Sequence, residues 1–556
     1  MRLLLAATVA TLTVAGLAAL RPAVLTDEEK SAAATIQEHR LRADIRFLAN
    51  DLLEGRGPAT RGDRLAGLYV ASRFEAIGLE PGAPDGTWFQ DFDLISVDTR
   101  CPPVLQIKRG TERVDLDYYG DYIATSGVQS PVARIDDAEI VFVGYGIVAP
   151  EYQWDDFKDT DLQGKVLLFL NNDPEDDPKL FEGNRRLYYG RWDYKYEMAA
   201  RRGAAGAIII HTTPSAGYAW AVVQNSWTGE QFGLPAGAEP RVQVQAWVTE
   251  EAARRLVHLG GQRLEDLVAV ARRRDFSPIP LGVTTSVVLE NAIERRQSAN
   301  VIGRLPGADP VASREAVIYT AHHDHLGIKA DPEGGPPAIY SGALDNASGV
   351  ATMLAIAEAF VALPQRPERS ILFAAVGAEE QGLLGSKYLA RKPPVPAGRL
   401  AANINIDGVN IWGRTRDVAV VGLGKSTLDE WVRAIAEAQG RTVRAEAFPD
   451  KGSYYRSDHF SLARVGVPGV YLDAGTEVIG KPAGWARQQQ EAWEKAHYHR
   501  PSDDLTPEWD LSGAIEDARL LFSLGVKVAN TPSLPEWRSG DEFEPARKKA
   551  LAALER

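Results

Sequence analysis

Two helical stripes open the chain after its apolar start. Ile36, Leu41, Ile45, Leu48 and Leu52 share one face of a helical period within residues 31–57. Leu65, Leu68, Ala71, Phe74 and Ile77 repeat the pattern between Arg61 and Leu79, with Gly78 as a stop. Both predict surface helices that close over a sheet. From about 128 to 290 the texture changes to short β-runs separated by turns: Glu139 to Val143, Val166 to Leu170, Ala207 to His211 and Val242 to Trp247. One helix is expected there, over Tyr194 to Arg202. Strand words then return at Ser298 to Gly303, Ala316 to Ala321, Arg369 to Val376 and Leu400 to Ile406. A helix from Ala347 to Leu363 lies among them, with Val350, Leu354, Ala357 and Val361 on its core face. Strands and helices alternating in this way predict an α/β fold, a mostly parallel central sheet flanked by helices on both faces. Pro532 to Arg556 is charged and helix-prone, and is expected to be a solvated terminal helix.

At 556 residues the chain exceeds one ordinary core, so two domains or more are expected. The pattern divides it into an apolar start (1–25), a first part of the main domain (31–127), a β-rich insert (128–290), a second part of the main domain (291–530) and a tail (531–556). The hydrophobic fraction of 45% and charged fraction of 25% are those of a soluble globular protein. A net charge of −13 argues against a nucleic-acid partner, which favours a basic face. Met1-Arg2 followed by an Ala/Thr-rich apolar stretch to Leu20 reads as an export signal rather than a membrane anchor, so a periplasmic or secreted protein is expected, with no stable membrane insertion after its removal. Cys101 is the single cysteine, which rules out an intrachain disulfide.

The candidate chemistry sits where the later strands end. His322, His323, Asp324 and His325 follow the Ala316 strand. Asp345 opens the next helix, Glu379 and Glu380 follow the Arg369 strand, Asp407 follows the Leu400 strand, and His499 lies in a downstream loop. Open α/β sheets place chemistry at the carboxyl ends of strands. Imidazoles and carboxylates gathered there suit zinc-type ions, and this inventory suits a two-metal hydrolytic site. His211 and His258 have no acidic partner at ligand spacing and read as structural.

The succession H-x-D, G-A-x-D-N-A-S-G, E-E-x-G-L-x-G-S, N-x-D and H-x-P-x-D resembles the co-catalytic dizinc aminopeptidases, a family with glutamate-carboxypeptidase-like and glutaminyl-cyclase-like members. VFVGYGIVAPEYQWDDFKDTDLQGKVLLFLNNDP resembles the protease-associated domain inserted in such peptidases, and Ile45 to Gly57 resembles their amino-terminal helix. The resemblance implies a zinc exopeptidase acting on peptides, with two Zn2+ (Co2+ or Mn2+ would fit the same ligands). It implies that His322, Asp345 and Asp407 hold one ion and that Glu380, Asp345 and His499 hold the other, Asp345 bridging. Glu379 would be the general base, Asp324 would orient His322, and Tyr454, three residues before Ser457-Asp458-His459, would donate to the tetrahedral intermediate. A cis peptide at Asp345-Asn346 is also implied. His323 and His325 are expected off the metal, His497 is a weaker rival of His499, and Glu54 and Arg56 are expected at a solvated helix end. Two other readings stay open. A glutamate-type carboxypeptidase would need basic residues for a substrate carboxylate, with Arg414, Arg416 and Arg456 at hand. A non-catalytic binding protein on the peptidase fold is the other.

Overall fold

The second expected helix forms over Arg61–Ile77, with the Thr60 side chain accepting from the Asp63 N–H at its start and Gly78 at φ 96° ending it in the left-handed conformation that glycine adopts without penalty. The computed structural model describes residues 25–174, 179–329 and 336–555. The stretch read as an export signal lies outside the described residues. The first stripe is split into Asp27–Ala33, Glu38–Leu48 and a short 3-10 segment, Asp51–Arg56. Leu41, Ile45 and Leu48 are buried as the spacing predicts, whereas Leu52 is 82% exposed because the 3-10 turn rotates it off the stripe. In the next helix the buried face runs through Ala66, Val70 and Phe74, and Leu68 is left exposed.

The main sheet has four parallel strands at its centre. Ala316–His322 lies between Ser370–Val376 and Leu400–Asn405, and Gly469–Asp473 follows on the far side of Leu400–Asn405. Asp417–Val420 pairs antiparallel with Gly469–Asp473 and parallel with Thr442–Ala445. On the other side, the end of the long strand Ile279–Leu305 runs antiparallel to Ser370–Val376. Ala316–His322 and Ser370–Val376 are buried throughout, as expected of parallel strands covered on both faces. Helix Ser348–Val361 packs beneath them against Ser512–Asn530 and Glu38–Leu48, joining one large core.

A second body has its own core. Val132–Phe142, Val166–Leu170, Gly206–His211 and Val244–Thr249 run parallel, with Tyr122–Ser126 antiparallel at the end. Ile279–Leu305 buries every second residue along Leu281, Val283, Thr285, Val287 and Leu289, so it presents one face to this core. Its pairing with Phe89–Arg100 then carries it into the main sheet, and this ribbon joins the two bodies. The second body therefore begins before residue 128. Val104–Arg109, Glu112–Asp117 and Tyr122–Ser126, expected in the main domain, pair within the second sheet. It also carries the helices Trp192–Arg201, Glu250–Leu259 and Leu264–Ala271.

The tail is packed rather than solvated. Trp537 is buried and donates its indole N–H to the Gly466 carbonyl at 3.0 Å, and Phe543 and Arg547 are buried with it. Asp541 and Glu542 each receive a 3.0 Å hydrogen bond from Lys425. A run of charge reads as solvated until its partners are known, and here the partner is Lys425, in the turn that follows strand Asp417–Val420.

Candidate metal centre

His322 ends its strand, Glu379 and Glu380 stand just past Val376, and Asp407 stands just past Asn405, so adjacent parallel strands deliver these side chains to one edge. Asp345 arrives from the turn before helix Ser348–Val361, through a cis Asp345–Asn346 peptide. Its loop is anchored from afar: the Leu344 and Asp345 N–H groups donate to the two oxygens of Asp503 at 2.9 and 3.1 Å. Asn346 holds the other side, its amide donating to the Ile406 carbonyl at 3.0 Å and its oxygen accepting from Gly349 and Gly408. Two non-glycine residues at the rim have left-handed backbones, Ala378 (φ 55°) before the glutamate pair and His499 (φ 54°). Such backbones gather at functional sites, where surrounding structure imposes them.

The donors form two sets that share Asp345. His322 Nε2 lies 3.1 Å from Asp345 Oδ1 and 3.2 Å from Asp407 Oδ1. His499 Nε2 lies 3.2 Å from Asp345 Oδ2 and 3.2 Å from Glu380 Oε2. Zinc–ligand bonds of about 2.0–2.2 Å at tetrahedral angles put neighbouring donors about 3.3–3.5 Å apart. Both sets come close to that spacing, with one oxygen of Asp345 turned to each. His322 Nδ1 donates to the main-chain carbonyl of Asp324 at 3.2 Å, which leaves the Nε2 lone pair for a cation.

The carboxylate of Asp324 has a different task from the expected one. It is 3.8 Å from His322 Nδ1, and its oxygens accept from the N–H groups of Glu379 at 3.0 Å and Glu380 at 3.3 Å. It thus aims the glutamate pair rather than the imidazole. His323 and His325 are fully buried and bonded. His323 Nε2 donates to Asp63 Oδ1 at 3.0 Å, and His325 Nδ1 donates to Glu380 Oε1 at 2.7 Å. His325 leaves the other Glu380 oxygen toward His499, and with Asp345 and Glu380 it forms a third group of donors within ligand reach. His497 points elsewhere, to Ser502 at 3.0 Å.

The protein's own charges set the carboxyls apart. Burial would push Asp345 up, but His322 and His499 against its two oxygens hold it well below the usual range. Burial pushes Glu379 well above that range, and the charges of Glu380 and Asp407 add to it while His322 opposes. Burial also pushes Asp324 up to about 6. Burial would raise Glu380 too, but the charges of His499 and His325 hold it below the usual range, and two adjacent glutamates with opposite tendencies suit opposite roles, ligand and proton acceptor.

Tyr454 does not reach the centre. Its ring is buried edge-on to His459 (centroids 4.6 Å apart), stacked toward Phe543, with Lys425 over its face, and it is absent from the cleft wall. Packing against the tail turns it inward, which its place before S-D-H does not reveal. Two tyrosines line the cleft: Tyr471, whose hydroxyl donates to the Asp407 carbonyl at 3.1 Å, and Tyr498, stacked on His499 at 3.9 Å with its hydroxyl accepting from Arg456 at 3.0 Å. The cleft has a volume of about 270 Å³. Trp412, Phe448 and Trp493 form apolar wall, and Asp345, Glu379, Glu380, Asp407 and His499 lie at its base. Of the three arginines considered for a substrate carboxylate, only Arg456 lines it; Arg414 is paired with Glu516.

Arg56 is the largest departure from expectation. It is 1% exposed, not solvated, and its guanidinium touches the loops that carry His322 and Asp345. The G-R-G word flanking it was its only visible sign: Gly55 (φ 69°) crosses the chain where an added Cβ would meet the carbonyls of Tyr340 and Gly327 at 2.5 and 2.6 Å.

Comparison with known proteins bears on the same segment. Residues 300–523 match the family model described as Peptidase family M28. Aminopeptidase NAALADL1 of Mus musculus is 32% identical over 181 residues, 28% of this chain and 22% of that protein. Aminopeptidase YwaD of Bacillus subtilis (strain 168) is 27% identical over 216 residues, 38% of this chain and 41% of that protein. The chain thus spans less than half the length of these curated relatives. Among solved structures, an aminopeptidase from Aneurinibacillus sp. strain AM-1 aligns over 91% of this chain and 97% of its own with a TM-score of 0.49 at 19% identity. Residues 300–523, the segment that matches the peptidase family M28 model, hold every donor of the two sets.

Proposed function

We propose that this protein is an exported dizinc aminopeptidase that removes amino-terminal residues from peptides. The observation that carries the reading is the pair of donor sets sharing Asp345, with Glu379 beside them and outside both. Bound there, two zinc ions would acidify a shared water and polarise the scissile carbonyl. Glu379, its main chain held by Asp324, takes a proton on its carboxylate and returns it to the leaving amine. Tyr498, rather than Tyr454, donates to the oxygen that gains charge, so Tyr498→Phe should lower kcat by about 10²–10³-fold, whereas Tyr454→Phe should leave it unchanged. Steady-state kinetics on both variants checks this assignment.

The cleft favours the amine end of a peptide. Carboxylates, among them Glu446, Asp473 and Glu494, outnumber its two basic side chains, Lys451 and Arg456. The apolar walls suit the side chain of the residue released. The second body reads as a protease-associated insert bracing one wall, since the Arg186 N–H donates to the Pro449 carbonyl at 3.0 Å on the loop that carries Phe448 and Lys451.

A panel of aminoacyl-nitroanilides and amino-terminally blocked peptides, assayed with metal removed and restored, tests the reading. Metal-dependent cleavage of the free-amine substrates alone is expected. Release of residues from the carboxyl end of blocked peptides would replace it with the carboxypeptidase. No turnover of either class, with metal bound, would leave a binding protein.

A further inference from the structure

Arg56 makes four hydrogen bonds, all to main-chain carbonyls and none to a carboxylate. Nε donates to His323 O at 2.8 Å, Nη1 to Ser341 O at 2.7 Å and to Leu48 O, and Nη2 to Gly342 O at 2.9 Å. The bond to Leu48 caps the end of helix Glu38–Leu48. The other three grip two loops at the points where they present metal donors: His323 lies between His322 and Asp324, and Ser341-Gly342 leads into Leu344-Asp345. The Arg56 carbonyl accepts in return from the His325 N–H at 3.2 Å. His325 in turn holds Glu380. One planar side chain therefore fixes the separation of segments that reach the centre from a strand end and from a helix start. Lysine, with three donors at one point, cannot span carbonyls so placed.

We propose that Arg56 is a positioning residue for the metal centre, a clasp that sets the distance between the His322 and Asp345 loops before any cation arrives. This rests on the reading that the two donor sets hold zinc. Burying a guanidinium is costly, and the nearby carboxylates of Asp324, Asp503, Asp345 and Glu380 offset only part of the cost, since burial pulls Arg56 down to about 10. Capping a helix end alone would not require the contacts to the two donor loops.

The test uses the full chain and Zn2+ itself, titrated against a competing chelator. Arg56→Lys should weaken zinc at both sites by about 10–100-fold, the range for losing an outer partner of a metal ligand. Lys195→Met is the control. Lys195 is an equally buried cation clamping the Tyr145, Asn172 and Tyr189 carbonyls at 2.7, 2.8 and 2.6 Å in the second body. It should lower Tm and leave zinc affinity unchanged. Zinc affinity in R56K within twofold of wild type would overturn the clasp. A second measurement needs no variant: in metal-free wild-type protein, the amide of His325, which donates to the Arg56 carbonyl, should resist hydrogen exchange. Free exchange there, with the core protected, would overturn it equally. Failure of the wild-type chain to bind zinc would instead remove the proposed function and leave the clasp without a centre to position.

Discussion

Glu379→Gln is expected to lower kcat by about 10²–10⁴-fold, the contribution of a positioned general base, with zinc content and KM little changed. The amide keeps the shape of the carboxylate and cannot accept a proton. The backbone that aims it, held by Asp324, is untouched. Metal analysis separates two origins of the loss. Glu379 also falls within ligand reach of His322 and Glu380. If the variant loses zinc together with activity, Glu379 is a ligand and the base must be sought elsewhere. If it keeps zinc and most of its activity, the proton is carried by another group.

Asp345→Asn should be the most damaging single change to metal content. Asp345 alone belongs to both donor sets, one oxygen to each. An amide offers one acceptor oxygen and no charge, so both sites should weaken together, each by at least the 10–100-fold or so that loss of a mere outer partner costs. Asp407→Asn and His499→Gln should each weaken one site. Dialysis against a fixed free zinc concentration, followed by elemental analysis, distinguishes the cases. Retention of one zinc at wild-type affinity in Asp345→Asn would show that Asp345 serves a single site.

Much of the centre was legible in the sequence because its strands are buried on both faces. Ala316–His322 and Ser370–Val376 read as largely apolar runs and Leu400–Asn405 as a shorter one interrupted by Asn403, and the residues that follow such runs stand at the sheet's edge. His322, Glu379, Glu380 and Asp407 could be placed that way, with motif order supplying Asp345 and His499. The division of the second body was less legible. Val104–Arg109 and Tyr122–Ser126 are ordinary strands whose membership depends on pairing with residues more than a hundred positions away.

The residues misplaced by sequence share a physical cause. Periodicity reports which face of an element is apolar, and it is silent on what covers a polar group. Arg56 and the tail charges Asp541 and Glu542 look solvated because charge is usually exposed. They lie inward because carbonyls or Lys425, distant in the chain, meet their hydrogen-bonding needs. Tyr454 has the expected spacing, and only its packing against His459 and Phe543 turns it from the cleft. The sequence by itself determined the α/β class and which imidazoles and carboxylates stand at the strand ends, since these depend on local pattern and side-chain chemistry. The tertiary structure alone decided how far apart the donors stand, which tyrosines line their cleft and which buried arginine holds their loops, since each is a distance between segments that chain order leaves free.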